Sequence, residues 1–146
     1  MKPVLLDVNP LIALLWPAHE HHEPAHRWFN RVSGRRWATC PLTELAFVRI
    51  VSDPAFSSDA LTPMDALLLL DQNLEHCSHV FWPDDLPVRP SVFKEIGQVE
   101  GHRQVTDGYL LALAAMHRGV LATFDRGLGH TGSGGLKNMV ELVPSG

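Results

Sequence analysis

The chain has 146 residues, of which 45% are hydrophobic, and its formal net charge is -4. A chain of this length forms one domain with a substantial core, so we expect a single domain over residues 1–146. The negative net charge argues against a broad basic surface that binds nucleic acid, so any contact with nucleic acid is expected to be local. The longest apolar runs, such as residues 11–16, are far shorter than the roughly 18 residues that cross a bilayer, so no membrane span is expected.

Cysteine usage and the N-terminus favour the cytoplasm. The two cysteines, Cys40 and Cys77, are too few for a disulfide framework, and both adjoin hydrophobic segments, so we expect two buried thiols. Asp7 interrupts the first apolar run before the core of a signal peptide could form. A protein that stays in a reducing cytoplasm fits both observations.

Short β-rich runs alternate with helical patterns, which is typical of a parallel sheet with helices on both faces. Strands are predicted at residues 4–7, 36–40, 79–82, 120–124 and 139–143. Helices are predicted at residues 10–15, 24–32, 41–51, 63–76, 91–99 and 106–117. Pro10 suits a first helical position and Thr106 suits an N-cap. The glycine-rich residues 129–135 predict a mobile loop rather than a phosphate cradle, because no lysine directly follows the last glycine and no strand-to-helix turn is predicted there.

Four acidic residues fall where this fold would bring them to one edge of the sheet. Asp7 and Asp125 follow the first and fourth predicted strands, and Glu44 and Asp107 lie in the first turns of two predicted helices. In open α/β sheets ligands bind outside the carboxyl ends of the strands. Carboxylates held close together raise one another's pKa unless a cation neutralises them, and Mg²⁺ or Mn²⁺ is the usual partner for all-oxygen ligands. The pattern therefore predicts a metal site.

Taken singly, each acid has a structural explanation, as a partner of a helix dipole or as a turn former. Asp7 is the hardest to explain in this way, because a carboxylate between three apolar residues and an apolar helix needs a partner. Asp84 and Asp85 follow the third predicted strand between two prolines. We interpret them as an exposed turn rather than as further ligands.

Residues 22–26, His-Glu-Pro-Ala-His, match the zinc-protease signature H-E-x-x-H. That chemistry needs both histidines on one face of an uninterrupted helix, and Pro24 breaks the helix unless the helix begins there, which would leave His22 outside it. No convincing third ligand follows, so zinc hydrolysis is not favoured. The four tryptophans are predicted to pack in a core or a dimer interface rather than to stack on bases.

The acidic segments together resemble the four motifs of the PIN-domain ribonucleases, and more narrowly the VapC-type toxins of bacterial toxin–antitoxin pairs. They are Leu-Leu-Asp-Val-Asn at residues 5–9, Thr-Glu-Leu at 43–45, Val-Thr-Asp-Gly-Tyr at 105–109 and Thr-Phe-Asp-Arg-Gly at 123–127. The resemblance keeps the order and spacing of the family over residues 4–143.

This resemblance implies a PIN-like three-layer α/β/α sandwich with a central, mainly parallel five-stranded sheet. It implies a Mg²⁺- or Mn²⁺-dependent endoribonuclease that cleaves RNA, usually a homodimer, held inactive by a small antitoxin protein that inserts into the active-site groove. By matching positions, the catalytic residues and metal ligands would be Asp7, Glu44, Asp107 and Asp125. Asn9 and Thr123 would orient these ligands or the bound water.

Two other classes of function stay open. A magnesium-dependent phosphohydrolase of the haloacid-dehalogenase type also has an Asp after its first strand, but it needs a second Asp two residues on, where Asn9 stands, and a separate lysine. A non-catalytic domain of the same fold that binds RNA or protein is the other alternative. Loss of a ligand would favour it, whereas all four acids are present.

Overall fold

A parallel sheet organises the computed structural model of the protein, which describes residues 1–32, 34–94, 96, 101–130 and 138–146. Its strands are β1 (Val4–Leu6), β2 (Trp37–Thr39), β3 (His79–Phe81), β4 (Val120–Thr123) and β5 (Val140–Leu142). The order across the sheet is β3-β2-β1-β4-β5, and every neighbouring pair is parallel. The five predicted strands are confirmed, each shortened by one residue at one or both ends.

Helices cover both faces of the sheet. They are α1 (Val8–Leu15), α2 (His22–Arg31), α3 (Pro41–Val51), α4 (Pro63–Leu74), α5 (Pro90–Lys94), α6 (Val105–Met116) and α7 (Arg126–His130), with a short 3-10 helix at His102–Gln104. Parallel strands buried on both faces are expected to be apolar throughout, and all three residues of β1 are buried. The three-layer α/β/α prediction is confirmed.

Two hydrophobic clusters lie on opposite faces of β1. Val4 and Leu6 belong to the cluster that contains the buried side chains of α1 and Phe47 of α3. Leu5 points the other way and belongs to the cluster built on α6. This alternation follows from the two-residue period of a strand and fixes β1 as the centre of the fold. The four tryptophans are buried as predicted: Trp16, Trp28, Trp37 and Trp82.

Four predicted helix starts, at residues 10, 24, 91 and 106, were wrong by one or two residues, since the helices begin at Val8, His22, Pro90 and Val105. Helix α1 begins at Val8 with Asp7 as its N-cap, so Pro10 is its third residue, where the missing N–H would have had no helical acceptor. Helix α6 begins at Val105 after Gln104, which makes no side-chain cap, and Thr106 lies inside the first turn. The 3-10 helix that ends at Gln104 runs directly into α6, so the chain enters the helix already wound and no capping hydroxyl marks its start.

The remaining differences lie in loops. Cys40 is buried as predicted, but Cys77 is exposed, because it lies in the turn between α4 and β3, and both thiols are free. Residues 131–135 of the glycine-rich segment predicted as a mobile loop lie outside the described residues, and its first two positions, 129 and 130, close α7 instead. Much of the helix predicted at residues 91–99 also lies outside them. Within the described ranges, the structure has no helix long and apolar enough to span a bilayer.

Candidate active site

Asp7 lies at the C-terminal end of the central strand. Its backbone N–H donates to the carbonyl of Ala122 at 3.0 Å, which continues the ladder between β1 and β4. Its side chain then caps α1, since the Val8 N–H donates to Asp7 Oδ1 at 2.8 Å. Strand pairing and helix capping together hold this carboxylate at the edge of the sheet.

Thr123 connects two of the predicted acids. This last residue of β4 is buried, and its Oγ1 donates to Asp7 Oδ2 at 3.0 Å. The same oxygen accepts the Asp125 N–H at 3.1 Å, and Asp125 Oδ1 accepts the Gly127 N–H at 2.9 Å as α7 begins. One threonine hydroxyl thus contacts both the carboxylate of Asp7 and the backbone N–H of Asp125.

Asp107 completes the group from the other face of the sheet. It lies in the first turn of α6 and is half-buried. Burial is the largest cause, and together with the negative charges of Asp7 and Asp125 it raises the pKa of this carboxyl to about 6. Asp7, Asp107 and Asp125 are therefore close enough to interact electrostatically, and we call them the aspartate cluster.

The surroundings of Asp7 also disfavour a charged carboxyl. Burial raises the pKa of its carboxyl, while the hydrogen bonds from Val8 and Thr123 oppose the shift and the charge of Asp125 adds to it. The surroundings of Asp7 and Asp107 therefore favour the neutral form of these two carboxyls in the absence of a positive partner. A cation would relieve both the burial cost and the mutual repulsion.

Glu44 stands apart from this cluster. It lies in the first turn of α3 and is not among the charges that raise the pKa of Asp7 or Asp107. Its Oε2 accepts a hydrogen bond of 2.7 Å from Thr39 Oγ1, which is also 2.7 Å from His79 Nε2. Over the described ranges, no three His, Cys, Asp or Glu side chains are grouped closely enough to form a ready metal cage. Electrostatic interactions therefore link three of the four predicted acids, Asp7, Asp107 and Asp125, and do not include Glu44.

Asn9 was predicted to orient the ligands or a bound water. It is exposed in the first turn of α1, and its side chain shows no hydrogen bond to any of the four acids, all of which lie in the described residues. Its part in the site stays a prediction. Thr123, in contrast, makes the contact that an orienting residue would make.

The two histidines of the H-E-x-x-H match hydrogen-bond to the C-terminal end of α1. Helix α2 begins at His22, so Pro24 is its third residue and both histidines are helical. His22 Nδ1 lies 2.7 Å from the carbonyl of Ala13, and His26 Nε2 lies 2.9 Å from that of Leu14. These carbonyls belong to the last turn of α1, where they have no helical donor. The rings therefore satisfy a helix end.

Asp84 has a structural partner that the sequence does not indicate. The residue is exposed, as predicted for the turn after β3, but its Oδ2 accepts the Leu42 N–H at 3.0 Å. Leu42 is in the first turn of α3, where backbone N–H groups lack helical acceptors. The carboxylate thus caps α3 from 42 residues away, and only the tertiary fold could reveal it.

Thr39 and His79 were absent from the predicted site, although they are one and two hydrogen bonds from Glu44. A threonine inside a strand pattern and a histidine at a strand start carry no local signal. Their contact depends on the pairing of β2 with β3.

The profile of the PIN-domain family matches residues 4–133, so the chain belongs to the PIN-domain family. The narrower VapC-type resemblance is also confirmed. The chain is 46% identical over 132 residues to ribonuclease VapC39 of Mycobacterium tuberculosis. The aligned region covers 90% of this chain and 95% of that protein. The chain is also 41% identical over 140 residues to ribonuclease VapC38 of the same species, with 95% and 96% of the two chains covered.

Solved structures share the fold at low identity. The VapBC2 assembly of Rickettsia felis, bound to a DNA fragment from its promoter, matches with a TM-score of 0.58 and 10% identity, covering 97% of this chain and 99% of that chain. FitAcB of Neisseria gonorrhoeae matches with a TM-score of 0.57 and 20% identity, covering 97% of each chain. These likenesses support the architecture alone.

Proposed function

We propose that this chain is a divalent-metal-dependent endoribonuclease that acts as the toxin of a toxin–antitoxin pair. The aspartate cluster carries the proposal: Asp7 follows β1, Asp125 follows β4 and Asp107 lies in the first turn of α6, and their charges interact at the C-terminal edge of a parallel sheet, where open α/β folds bind ligands. The names of its relatives, ribonucleases VapC39 and VapC38, favour RNA as the substrate. Family membership favours this function over the haloacid-dehalogenase alternative.

The cluster fits a hard divalent cation. Its donors are carboxylate oxygens, which Mg²⁺ and Mn²⁺ prefer, and the burial and negative charges that raise the pKa of Asp107 would be offset by a cation. Asp7, Asp107 and Asp125 would hold the ion, with Glu44 completing a second position. Bound there, the cation would supply a nucleophile at neutral pH and counter-charge for the phosphate oxygens.

The protein's own part is to fix the carboxylates. Each Asp7 oxygen accepts one hydrogen bond, from Val8 or Thr123, and keeps a second lone pair for a cation. Asp125 is held in the same way by Gly127. Hydrolysis adds one water across a P–O ester bond, and the leaving oxygen takes a proton. A rigid site lowers the cost of aligning these atoms.

We also propose an antitoxin partner and a homodimer in the cytoplasm. Similarity to the VapC ribonucleases favours an antitoxin partner, which by the VapC-type resemblance would insert into the active-site groove. Helix α4 supports a dimer contact, since Met64, Leu67 and Leu68 are 64%, 47% and 52% exposed. The two free thiols suit a reducing compartment.

Mapping of new RNA ends after brief induction in a bacterial host tests the proposed activity. Wild type is expected to generate new 5′ ends at a small set of sites, and Asp7→Asn is expected to generate none while remaining folded. Asp59→Asn, which changes an exposed aspartate in the turn between α3 and α4, is the matched control and should keep the wild-type profile. Identical profiles for wild type and Asp7→Asn, with both proteins soluble, would contradict the ribonuclease assignment.

A further inference from the structure

We propose that Thr39 is a positioning residue that orients Glu44 toward the cation, and that His79 fixes Thr39 in turn. This proposal rests on the proposed function, in which Glu44 completes the metal site. It assigns a role to two residues outside the four acidic motifs.

The Thr39 hydroxyl lies between Glu44 and His79. Its Oγ1 donates to Glu44 Oε2 at 2.7 Å. The same oxygen lies 2.7 Å from His79 Nε2, and the tautomer of the imidazole decides which of these two groups donates. The His79 ring is also hydrogen-bonded to the backbone of Leu74, which helps to fix its position beside Thr39.

Burial makes the Thr39 contact specific. Thr39 is 0% exposed, so its hydroxyl has no water to turn toward and its rotamer is set by these two partners. The His79 ring is held against Trp37, with 4.7 Å between the ring centroids. A glutamate has three rotatable side-chain bonds, and one fixed donor at its carboxylate removes much of that freedom.

The same device occurs on the opposite side of β1. Thr123 is the last residue of β4, is 1% exposed, and donates to Asp7; Thr39 is the last residue of β2, is 0% exposed, and donates to Glu44. Strands β2 and β4 are the two neighbours of β1. Each flanking strand thus ends in a buried threonine that holds one predicted ligand. Carboxylates that bind metals are commonly held by such outer hydrogen bonds.

Mn²⁺ binding to the metal-free protein, measured by titration calorimetry without RNA, tests the proposal. Thr39→Val, which keeps the shape and removes the hydroxyl, is expected to weaken Mn²⁺ binding roughly 10-fold or more. Thr39→Ser is expected to restore it to near the wild-type value. His79→Leu should weaken binding less, and His79→Gln, whose amide can still hydrogen-bond to Thr39, should recover most of the loss. His76→Leu is the matched control, because His76 also packs on Trp37 but does not touch Thr39.

A double-mutant cycle with Glu44→Gln separates positioning from a general loss of structure. If Thr39 acts through Glu44, Thr39→Val weakens Mn²⁺ binding in the wild type but has little further effect in Glu44→Gln. Equal losses in both backgrounds, or no loss in the wild type, would overturn the proposal. Thermal unfolding of each variant confirms that the folded protein is compared.

The outcome of this binding experiment does not depend on whether the protein cleaves RNA. RNA cleavage is not part of the readout, so an absent ribonuclease activity would refute the proposed function and leave the cycle interpretable. If Glu44→Gln alone leaves Mn²⁺ binding unchanged, Glu44 is not a ligand and the positioning role is overturned, while cleavage lost only in Asp7→Asn would still support the nuclease.

Discussion

Thr123 and Asp7 are joined across neighbouring strands by a hydrogen bond of 3.0 Å from the threonine hydroxyl to Asp7 Oδ2. The same hydroxyl accepts the backbone N–H of Asp125. The relative position of two candidate ligands thus depends on a single buried oxygen. A side chain that binds neither substrate nor metal directly can therefore control the geometry of the cluster.

Thr123→Val is expected to lower kcat/KM for RNA cleavage by roughly 10–100-fold, because Asp7 loses the donor that orients it. Loss of the hydrogen bonds should lower the free energy of unfolding by only about 1–2 kcal/mol, so the variant stays folded. Thr123→Ser should retain most of the activity. Initial rates on a short RNA and urea unfolding of the three proteins measure both effects. Full activity in Thr123→Val would show that the hydroxyl does not position Asp7.

Asp107 gives the metal-free protein an unusual pH dependence. Its carboxyl has a pKa of about 6 in the fold against an ordinary value of 3.8, so the folded state holds this proton more tightly than the unfolded state does. The penalty for ionising the group is absent below pH 3.8, grows between the two values and is complete above about 6. This group therefore makes the metal-free fold less stable as the pH rises through that window.

Asp107→Asn is expected to remove this penalty and to raise the melting temperature of the metal-free protein by a few degrees at pH 7.5, at about 2–4 °C per kcal/mol. The gain should be much smaller at pH 4.5, and RNA cleavage should be lost. Thermal unfolding in EDTA at the two pH values measures the difference, with Asp59→Asn as an exposed control. An equal gain at both pH values would mean that the charge of Asp107 is not the cause.

The fold and the aspartate cluster follow from local patterns in the sequence, whereas the groups that hold the cluster do not. Apolar runs that end in acids predicted β1 and β4, and a parallel sheet then brings Asp7 and Asp125 to one edge. The contacts from Thr39 to His79 and from Asp84 to α3 join residues whose proximity depends on how β2 and β3 pair. The sequence contains no periodicity that reports such contacts.

Residues 22–26 match a catalytic motif, but their histidines have a structural role. The spacing matched a zinc signature, but the rings contact backbone carbonyls at the end of α1. A four-residue spacing on a helix places two side chains on one face, whatever they bind. Only the neighbouring helix decides between a metal site and a helix end.

The remote cap of α3 is expected to contribute to stability. Asp84→Ala removes the acceptor of the Leu42 N–H and should lower the free energy of unfolding by about 0.5–2 kcal/mol, the usual range for losing a capping side chain. Asp85→Ala is the adjacent control: Asp85 is also exposed, and the structure shows no hydrogen bond from its side chain to another described residue. Urea unfolding compares the two variants. Equal effects would show that the change reflects the charge of the turn rather than the cap.

A charged network far from the cluster ties β5 to the rest of the fold. Arg35 Nη1 donates to Glu141 Oε1 at 2.7 Å and Trp28 Nε1 donates to Glu141 Oε2 at 2.8 Å, while Arg35 Nε donates to the carbonyl of Lys2 at 2.9 Å. The Arg35 side chain is only 7% exposed, and that of Glu141 is 29% exposed. Removing one partner would leave a largely buried charge without compensation.

Glu141→Leu is therefore expected to lower the free energy of unfolding by about 2–4 kcal/mol, somewhat below the usual cost of breaking a fully buried pair because Glu141 keeps some contact with water. Arg35→Met in the same chain should recover part of the loss, since the orphaned charge is then gone. Glu23→Gln, which breaks the exposed contact of 3.9 Å with Arg27, should change stability by less than about 1 kcal/mol. Urea unfolding of the single and double variants measures all three values. A double variant that is less stable than Glu141→Leu alone would show that Arg35 contributes through packing rather than through its charge.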